Sequence, residues 1–291
     1  MEYLLHIGIM FCIYIILVLS TNLTVGMANL LTLCQAAFYG IGAYIGTYFL
    51  MQFNMPFVII ALLVMLATGV TSILISFASV KLKGHYFILG TLGFQMVVYT
   101  ILYNWIDVTK GPYGIPGIPG IKMLGQWSLN STYSYFVFTL VVTIIVCWLF
   151  SKLQHSPYGR ILKAIRTDEL SAQALGRNTI RLKSWAFFIS AAFAGLAGLI
   201  YASYMSYIDP TSFTLDESIF IITALFIGGI GSSIWGSVVG AIVVVILPEL
   251  LRLVGLPDAV AANLRQVIYG IILIALMFYR PQGLLGDAKL K

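Results

Sequence analysis

Residues 133–150 read YSYFVFTLVVTIIVCWLF, a run of 18 residues without a charged side chain. A helix needs about 20 mainly apolar residues to cross about 30 Å of hydrocarbon, so this run is long enough to span a bilayer. Nine such hydrophobic segments lie at 4–22, 25–50, 56–80, 86–104, 133–150, 184–205, 218–230, 235–251 and 263–279. They predict an all-α, polytopic transmembrane helical bundle of about 8–10 membrane segments.

The composition of the chain supports a membrane protein. Of its 291 residues, 60% are hydrophobic and 9% are charged, against about a quarter charged in ordinary soluble domains. The net charge of +6 comes from basic residues in short segments between the spans, which is a signal of topology and not of nucleic-acid binding. No linker interrupts the pattern, so we expect a single membrane domain over residues 1–291.

Three of the hydrophobic segments are unusual. The second, 25–50, is long and rich in glycine, which predicts a broken helix or a re-entrant piece followed by a span. The seventh, 218–230, is too short to cross a bilayer without tilting or bending. The first begins with Glu2 and has no basic leading segment, so we expect a retained span and not a secretory signal.

Glycines spaced four residues apart allow helix backbones to approach closely within a membrane. Two such pairs occur, Gly42 with Gly46 and Gly236 with Gly240. We therefore expect both pairs to lie at helix–helix contacts.

The distribution of Lys and Arg predicts the orientation of the chain. If the loop 152–183 is cytoplasmic, alternation of the spans places twelve basic residues on that side: Lys81, Lys83, Lys152, Arg160, Lys163, Arg166, Arg177, Arg181, Lys183, Arg280, Lys289 and Lys291. The opposite side holds four: Lys110, Lys122, Arg252 and Arg265. Cytoplasmic loops are enriched in basic residues, so this split predicts a cytoplasmic C-terminus and an external N-terminus.

Sequence features of several energy-coupling mechanisms are missing. The centres of the nine segments hold almost no charged residues, which disfavours an ion-coupled carrier. No phosphate-binding G-x-x-x-x-G-K-[ST] loop is present, so any ATPase must be another polypeptide. The three cysteines show no metal-ligand or redox spacing. We expect a non-enzymatic chain that holds no metal or cofactor.

Polar residues recur within the fourth segment. Gln95 lies in mid-span, with Thr91 and Tyr99 one turn away on the same face. Uncharged polar groups on one face could line a path for a zwitterion, together with Gln35 of the second segment. They could equally make interhelical hydrogen bonds, and we favour that interpretation.

The most informative loop reads SPYGRILKAIRTDELSAQALG over residues 156–176. Thr167 or Asp168 can cap a short helix, Glu169 lies in its first turn, and Gly176 can end it in a left-handed conformation. A helix this short is not stable alone and must dock on another surface. We expect its small residues, Ser171 and Ala172 among them, to permit close approach. The simpler alternative is a surface helix that lies against its own bundle.

This loop resembles the cytoplasmic coupling loop of ABC importer permeases, whose signature is Glu-Ala-Ala, three residues, then Gly. Leu170, Ser171, Ala172 and Gly176 occupy the corresponding positions, so Leu170 stands where the signature has Glu. Further blocks resemble the M-type (LivM-like) permeases of branched-chain amino acid importers: LCQAAFYGIGAY at 33–44, GHYFILGTLG at 84–93, GPYGIPGIP at 111–119 and YRPQGLLG at 279–286. The family's expected His is Gln35 here.

The resemblance implies a permease that imports branched-chain amino acids by alternating access across a bacterial inner or plasma membrane. Its implied partners are the lipid bilayer, a second homologous permease, two ABC ATPases that use ATP and Mg, and an extracellular or periplasmic substrate-binding protein. The coupling residues would be Asp168, Glu169, Leu170, Ser171, Ala172 and Gly176. The alternatives are a urea or short-chain amide importer of the same architecture, an ion-coupled carrier, and a structural membrane subunit.

The external loop 111–120 contains four glycines and three prolines, a composition that resists both helix and sheet. Stiffened by proline, it could form the rim on which a substrate-binding protein docks. The residues that would carry this contact are Gly111, Pro112, Tyr113 and Gly114. A rigid lid over the bundle is the alternative.

Overall fold

A computed structural model describes residues 2–53, 55–79, 84–121, 131–231, 234–253, 264, 267–268, 270–271, 274 and 283–285. Within these ranges the chain is almost entirely helical, which confirms the predicted all-α bundle. Five helices of the described part are long and apolar enough to span a membrane: Glu2–Met27, Phe57–Ser76, His85–Asn104, Thr132–His155 and Thr179–Met205. Most of the predicted ninth segment, 263–279, lies outside the described residues.

In chain order the helices are α1 (Glu2–Thr21), α2 (Gln35–Gln52), α3 (Phe57–Ser79), α4 (His85–Asn104), α5 (Ile106–Thr109), α6 (Thr132–His155), α7 (Pro157–Thr167), α8 (Glu169–Ala174), α9 (Thr179–Met205), α10 (Leu215–Gly228) and α11 (Ile234–Leu253). A π-helical turn, Asn22–Met27, continues α1, and 3₁₀ turns cover Gly111–Tyr113 and Pro210–Phe213. The strands β1 (Ile115–Pro116) and β2 (Tyr207–Ile208) pair antiparallel.

Helix α9 forms the centre of the bundle and packs against α1, α2 and α3. A Cβ atom on Gly42 of α2 would lie 2.3 Å from the Cα of Gly195 in α9. A Cβ atom on Gly46, one turn further along, would lie 2.5 Å from Cδ1 of the Leu199 side chain. The two helices therefore run in the same direction, and their backbones touch at the first predicted glycine pair.

The second glycine pair also lies at a helix contact. A Cβ atom on Gly240 of α11 would lie 2.0 Å from the carbonyl oxygen of Ala224 in α10, and Gly236 faces Gly228. Both glycine pairs thus allow the close packing that their spacing predicts.

The predicted break in the second hydrophobic segment is confirmed. Residues 28–34 are not helical, and α2 begins only at Gln35. The side chain of Gln35 contacts Ser190, near the middle of α9, and the neighbouring Ala37 contacts Gln95, halfway along α4. Residues 28–34 therefore fold back into the bundle, and α2 starts halfway through it.

Helix α10 starts at the same depth, because its Ser218 also contacts Gln95. From there α10 leads to Gly231, whose N–H donates to Asn22 at the far end of α1, 3.4 Å away. The 14 residues of α10 measure about 21 Å, which confirms that this segment is too short to cross. Thus α2 and α10 begin together at mid-depth and run to opposite ends of the bundle.

Candidate functional site

The first turn of α2 is held by side chains of two other helices. The N–H of Ala36 donates to Ser218 Oγ at 2.9 Å, and the N–H of Ala37 donates to Gln95 Oε1 at 2.7 Å. The first N–H groups of a helix have no partner within the helix, and leaving one buried and unpaired costs about 1–3 kcal/mol. The side chain of Cys34, which precedes the helix, accepts no capping bond. Side chains of α4 and α10 therefore supply the acceptors for the buried N–H groups at the start of α2.

The side chain of Gln35 extends the same arrangement to α1 and α9. Its Nε2 donates to Ser20 Oγ at 2.6 Å and to Ser190 Oγ at 3.4 Å, and Ser190 Oγ donates to the Ser20 carbonyl at 2.7 Å. We call these residues the central polar cluster: Ser20, Gln35, Gln95, Ser190 and Ser218. All five side chains are buried, and the cluster joins the end of α1, the starts of α2 and α10, and the middle of α4 and of α9.

Three of the four predicted pathway residues come together around this cluster. Gln35, Thr91 and Gln95 are buried, and Thr91 Oγ1 accepts from the N–H of Leu33 at 3.2 Å. Tyr99, a further turn along α4, is half-buried. The observed bonds are of the interhelical kind that we favoured from the sequence, and a role in lining the pathway stays a prediction.

Two carboxylates lie at the start of α10, which begins at Leu215 and not at residue 218 as predicted, and of the two Asp216 is exposed and Glu217 half-buried. Asp216 and Glu217 lie in its first turn, where the helix dipole favours negative charge. Tyr14 Oη of α1 donates to Glu217 Oε1 at 2.6 Å, which places this carboxylate near mid-depth. The predicted segment 218–230 missed this carboxylate, because its boundary fell after Asp216 and Glu217.

The local structure of α8 agrees with its predicted capping. Asp168 Oδ1 accepts from the N–H groups of Leu170, at 3.0 Å, and Ser171, at 3.2 Å. Glu169 occupies the first turn, and Gly176 adopts a φ of +77° just after the helix. The sequence thus predicted both ends of α8 from the chemistry of single residues.

The orientation of α8 places its small residue Ala172 against its own chain. Ala172 is only 6% exposed and faces the chain's own bundle, whereas Leu170 is 72% and Leu175 83% exposed. A small residue on this side lets α8 lie close against its own chain. The large apolar side chains that stay exposed here are Leu170 in α8 and Leu175 just after it, whereas the close approach expected of Ala172 is made to the chain's own bundle.

Helix α8 is fastened to the first turns of α9. Lys183 Nζ lies 2.7 Å from Glu169 Oε2, and Gln173 Nε2 donates to Thr179 Oγ1 at 2.9 Å. Lys183 is a largely buried cation, so removing Glu169 would leave an uncompensated charge. These contacts attach α8 to α9.

Helix α7 makes two comparable contacts. Tyr158 Oη donates to the carbonyl of Leu182 in α9 at 2.8 Å, and burial raises the pKa of Tyr158, so this hydroxyl stays a donor at neutral pH. The guanidinium of Arg166 donates to the carbonyl of Gly26, in the π-helical turn that continues α1. The sequence carried no signal of this second contact, because it joins residues far apart in the chain.

The loop opposite the α8 end is more regular than its composition predicts. Gly111–Tyr113 form a 3₁₀ turn, and β1 directly after it pairs with β2, so the expectation of neither helix nor sheet is wrong. Gly111 (φ +52°) and Gly114 (φ +67°) are buried and supply the left-handed conformations at the two ends of the turn. Pro112 and Tyr113 are exposed, so these two side chains form the rim.

Metal-binding side chains do not cluster in the part of the chain that the structure describes. No group of three or more His, Cys, Asp or Glu residues there could hold a metal ion. Cys12, Cys34 and Cys147 are all free thiols. The polar groups described above near mid-depth are thus amides and hydroxyls, together with the Glu217 carboxylate.

Comparisons with known proteins agree with this architecture. The sequence profile of the family described as branched-chain amino acid transport system, permease component, matches residues 3–277. The high-affinity branched-chain amino acid transport system permease protein LivM of Salmonella typhimurium is 32% identical over 96% of this chain and 69% of its own length. LivM of Escherichia coli is 32% identical, over 94% of this chain and 68% of its own length.

A more distant relative is the probable branched-chain amino acid transport permease protein LivM of Methanocaldococcus jannaschii. It is 28% identical over 72% of this chain and 62% of its own length. No solved structure shows significant similarity to the chain. The family profile covers almost the whole sequence, including every described helix. The chain therefore belongs to the family of permease components of branched-chain amino acid transport systems.

Proposed function

We propose that this chain is the membrane-spanning permease subunit of an ATP-binding cassette importer for branched-chain amino acids. The observation that carries the proposal is the similarity to LivM, which extends over 96% of the chain. Separate ATPase subunits bind and hydrolyse ATP with Mg, and the permease itself catalyses no covalent reaction. It works in the inner or plasma membrane of a bacterial cell.

The α8 end of the bundle faces the cytoplasm. Arg160, Arg177 and Arg181 are exposed at this end, as the enrichment of basic residues in cytoplasmic loops requires. Leu284 and Leu285 donate to the carbonyls at the end of α10, and this contact supports a cytoplasmic C-terminus. Helix α1 begins at the opposite end, where His6 contacts Tyr204 near the end of α9, in agreement with an external N-terminus.

The ATPase pair docks on α8, where Leu170 and, just after the helix, Leu175 are the exposed apolar side chains. Apolar side chains that are 72% and 83% exposed in a cytoplasmic loop are suited to burial against a protein partner. Asp168, Glu169, Ser171, Ala172 and Gly176 shape α8 and fix it on the bundle.

The substrate-binding protein docks at the other end, on the rim that carries Pro112 and Tyr113. The pairing of β1 with β2 holds this rim against the end of α9. A second, homologous permease completes the membrane part, and the pathway runs between the two.

We infer alternating access from the two helices that start inside the bundle. Helices α2 and α10 both start at the central polar cluster, so a rearrangement there opens the bundle towards one side and closes it towards the other. Uncharged groups such as Gln35 and Gln95 suit a zwitterion, because they bind it without holding it strongly. Glu217, half-buried beside Tyr14, adds an acceptor for an ammonium group.

The proposal is tested by reconstituting the permease pair, the ATPases and the binding protein in liposomes. Radiolabelled leucine should accumulate, and unlabelled isoleucine and valine should compete with it. Competition by urea or acetamide in place of these amino acids would favour the urea or amide importer. Uptake by this chain without the ATPases, driven by an ion gradient, would favour the carrier.

A further inference from the structure

A junction of four segments lies at the α8 end of the bundle. The guanidinium of Arg166, in the last turn of α7, donates to the carbonyl of Gly26 in the π-helical turn. Asn22, one turn earlier, donates to Ser237 Oγ of α11 at 3.1 Å and accepts from the N–H of Gly231 at 3.4 Å. The junction thus joins α7 to the end of α1, to the α10–α11 connection and to α11.

The carbonyl of Gly26 is a natural acceptor for a cation. It lies at the end of a helical segment, where the last carbonyl groups lack partners within the helix and carry partial negative charge. Gly26 is buried and Arg166 is half-buried, so the contact is partly shielded from water. Burial lowers the pKa of Arg166, but a guanidinium remains protonated at neutral pH.

The surroundings of Gly26 are closely packed. A Cβ atom at this position would lie 1.8 Å from Asn22 Oδ1 and 3.2 Å from the backbone nitrogen of Gly231. A displacement of the Gly26 backbone towards Asn22 or Gly231 is therefore blocked. In the other directions it passes along the chain to the residues that follow.

Residues 28–34 are the segment that follows. They leave the π-helical turn and return to mid-depth, where Leu33 contacts Thr91 and the chain enters α2 at Gln35. Only nine positions separate Gly26 from Gln35. The Arg166 contact thus connects the cytoplasmic helices, through Gly26 and residues 28–34, to Gln35 in the central polar cluster.

We propose that Arg166 is a positioning residue through which α7 and α8 move the re-entrant segment 28–34 and so couple ATP hydrolysis to opening of the pathway. This inference rests on the proposed function. The contacts of α8 and α7 with α9 provide attachment to the bundle, and the Arg166 contact provides the connection to the segment that carries Gln35. Loss of Arg166 then uncouples the transporter: ATP is hydrolysed while the amino acid is not carried.

The test compares Arg166→Gln with Arg160→Gln in the complete reconstituted complex. Both variants lose one guanidinium from α7, but Arg160 is exposed and makes no described contact with the π-helical turn. The readout is the number of radiolabelled leucine molecules taken up per ATP hydrolysed. Arg166→Gln should lower this ratio about tenfold or more while ATPase association and hydrolysis persist, and Arg160→Gln should leave it unchanged. Arg166→Lys, which keeps the charge on a shorter reach, should fall between Arg166→Gln and wild type.

An unchanged ratio in Arg166→Gln would overturn the inference, as would a variant that loses uptake and hydrolysis together because the ATPases dissociate. If Arg166→Gln does not fold, the test uses Arg166→Lys. A wild-type ratio of leucine uptake to ATP hydrolysis in that variant overturns the inference. The wild-type complex in the same vesicles tests the proposed function separately. If the wild-type complex takes up no leucine, the proposed function is wrong. If wild-type uptake is normal and the ratio in Arg166→Gln is unchanged, only the role of Arg166 is wrong.

Discussion

The side chain of Gln95, halfway along α4, accepts a hydrogen bond from the backbone N–H of Ala37 at 2.7 Å and so satisfies the buried first turn of α2. Its amide nitrogen donates to the carbonyl of Phe213 at 2.9 Å, just before α10 begins. One glutamine thereby connects the starts of α2 and α10. Alternating access, as proposed here, requires that this connection holds α2 and α10 together at mid-depth.

Replacing Gln95 with Leu should destabilise the chain. The N–H of Ala37 would be left buried without an acceptor, at a cost of about 1–3 kcal/mol. Thermal unfolding of the purified permease in detergent measures the effect as a lowered melting temperature. Met96→Leu is the matched control, because Met96 is the next residue and is 41% exposed. Equal melting temperatures for the two variants would show that the N–H finds another partner.

The exposed leucines at α8 provide a second prediction. Leu170→Glu and Leu175→Glu should each weaken binding of the ATPase subunits about tenfold or more, because they place a charge on the proposed apolar contact. The melting temperature of the isolated permease should not change, since both side chains are exposed. A pull-down with the ATPases, read beside the melting temperature, measures both effects. Undiminished ATPase binding in both variants would leave α8 as an ordinary surface helix.

Ala172→Glu should behave in the opposite way. Ala172 is buried against its own bundle, so a carboxylate there destabilises the permease itself before any partner binds. The melting temperature of the isolated chain should fall. A variant that kept its melting temperature but lost the ATPases would contradict the observed orientation of α8.

Gly42→Leu should separate α2 from α9. Its Cβ would lie 2.3 Å from the Gly195 backbone, which cannot move aside as a flexible side chain can. Overpacking of this kind costs about 1–3 kcal/mol, and more where backbone meets backbone. Gly93→Leu on α4 is the control, because a Cβ at Gly93 meets nothing within 4 Å. The yield of folded protein after membrane insertion compares the two, and equal yields would contradict the close α2–α9 contact.

A substitution at Glu217 tests whether ATP or a proton gradient drives uptake. A carboxylate inside a membrane is often part of a proton relay, and Tyr14 holds this one at 2.6 Å. In an ATP-driven importer Glu217→Gln should leave uptake dependent on ATP and insensitive to collapse of the proton gradient. A wild-type complex that loses uptake with the gradient, and a Glu217→Gln variant that no longer responds to it, would identify Glu217 as a relay.

Local and global features of this chain were predictable to different degrees. The long apolar runs predicted the spanning helices, because length and hydropathy alone decide whether a segment can cross a bilayer. Asp168 and Gly176 predicted the ends of α8, because capping depends on single residues. The glycine pairs at 42 and 236 predicted helix contacts, because spacing alone places both members on one face of a helix.

Features that depend on distant parts of the chain were not predictable from the sequence. Serines 20, 190 and 218 look alike in any apolar helix, and only the fold brings them to Gln35. The start of α10 was placed too late, so Glu217 was missed. The orientation of Ala172 depends on which side of α8 meets the bundle, and the composition of α8 does not determine it.

The central claim is that ATP hydrolysis by partner subunits drives import of branched-chain amino acids through this permease. The most direct measurement is the initial rate of radiolabelled leucine uptake into proteoliposomes that contain the whole complex, with ATP or ADP supplied on the ATPase side and a protonophore present. The account predicts uptake with ATP, none with ADP and no effect of the protonophore. Leucine uptake that continues with ADP and stops with the protonophore would contradict it.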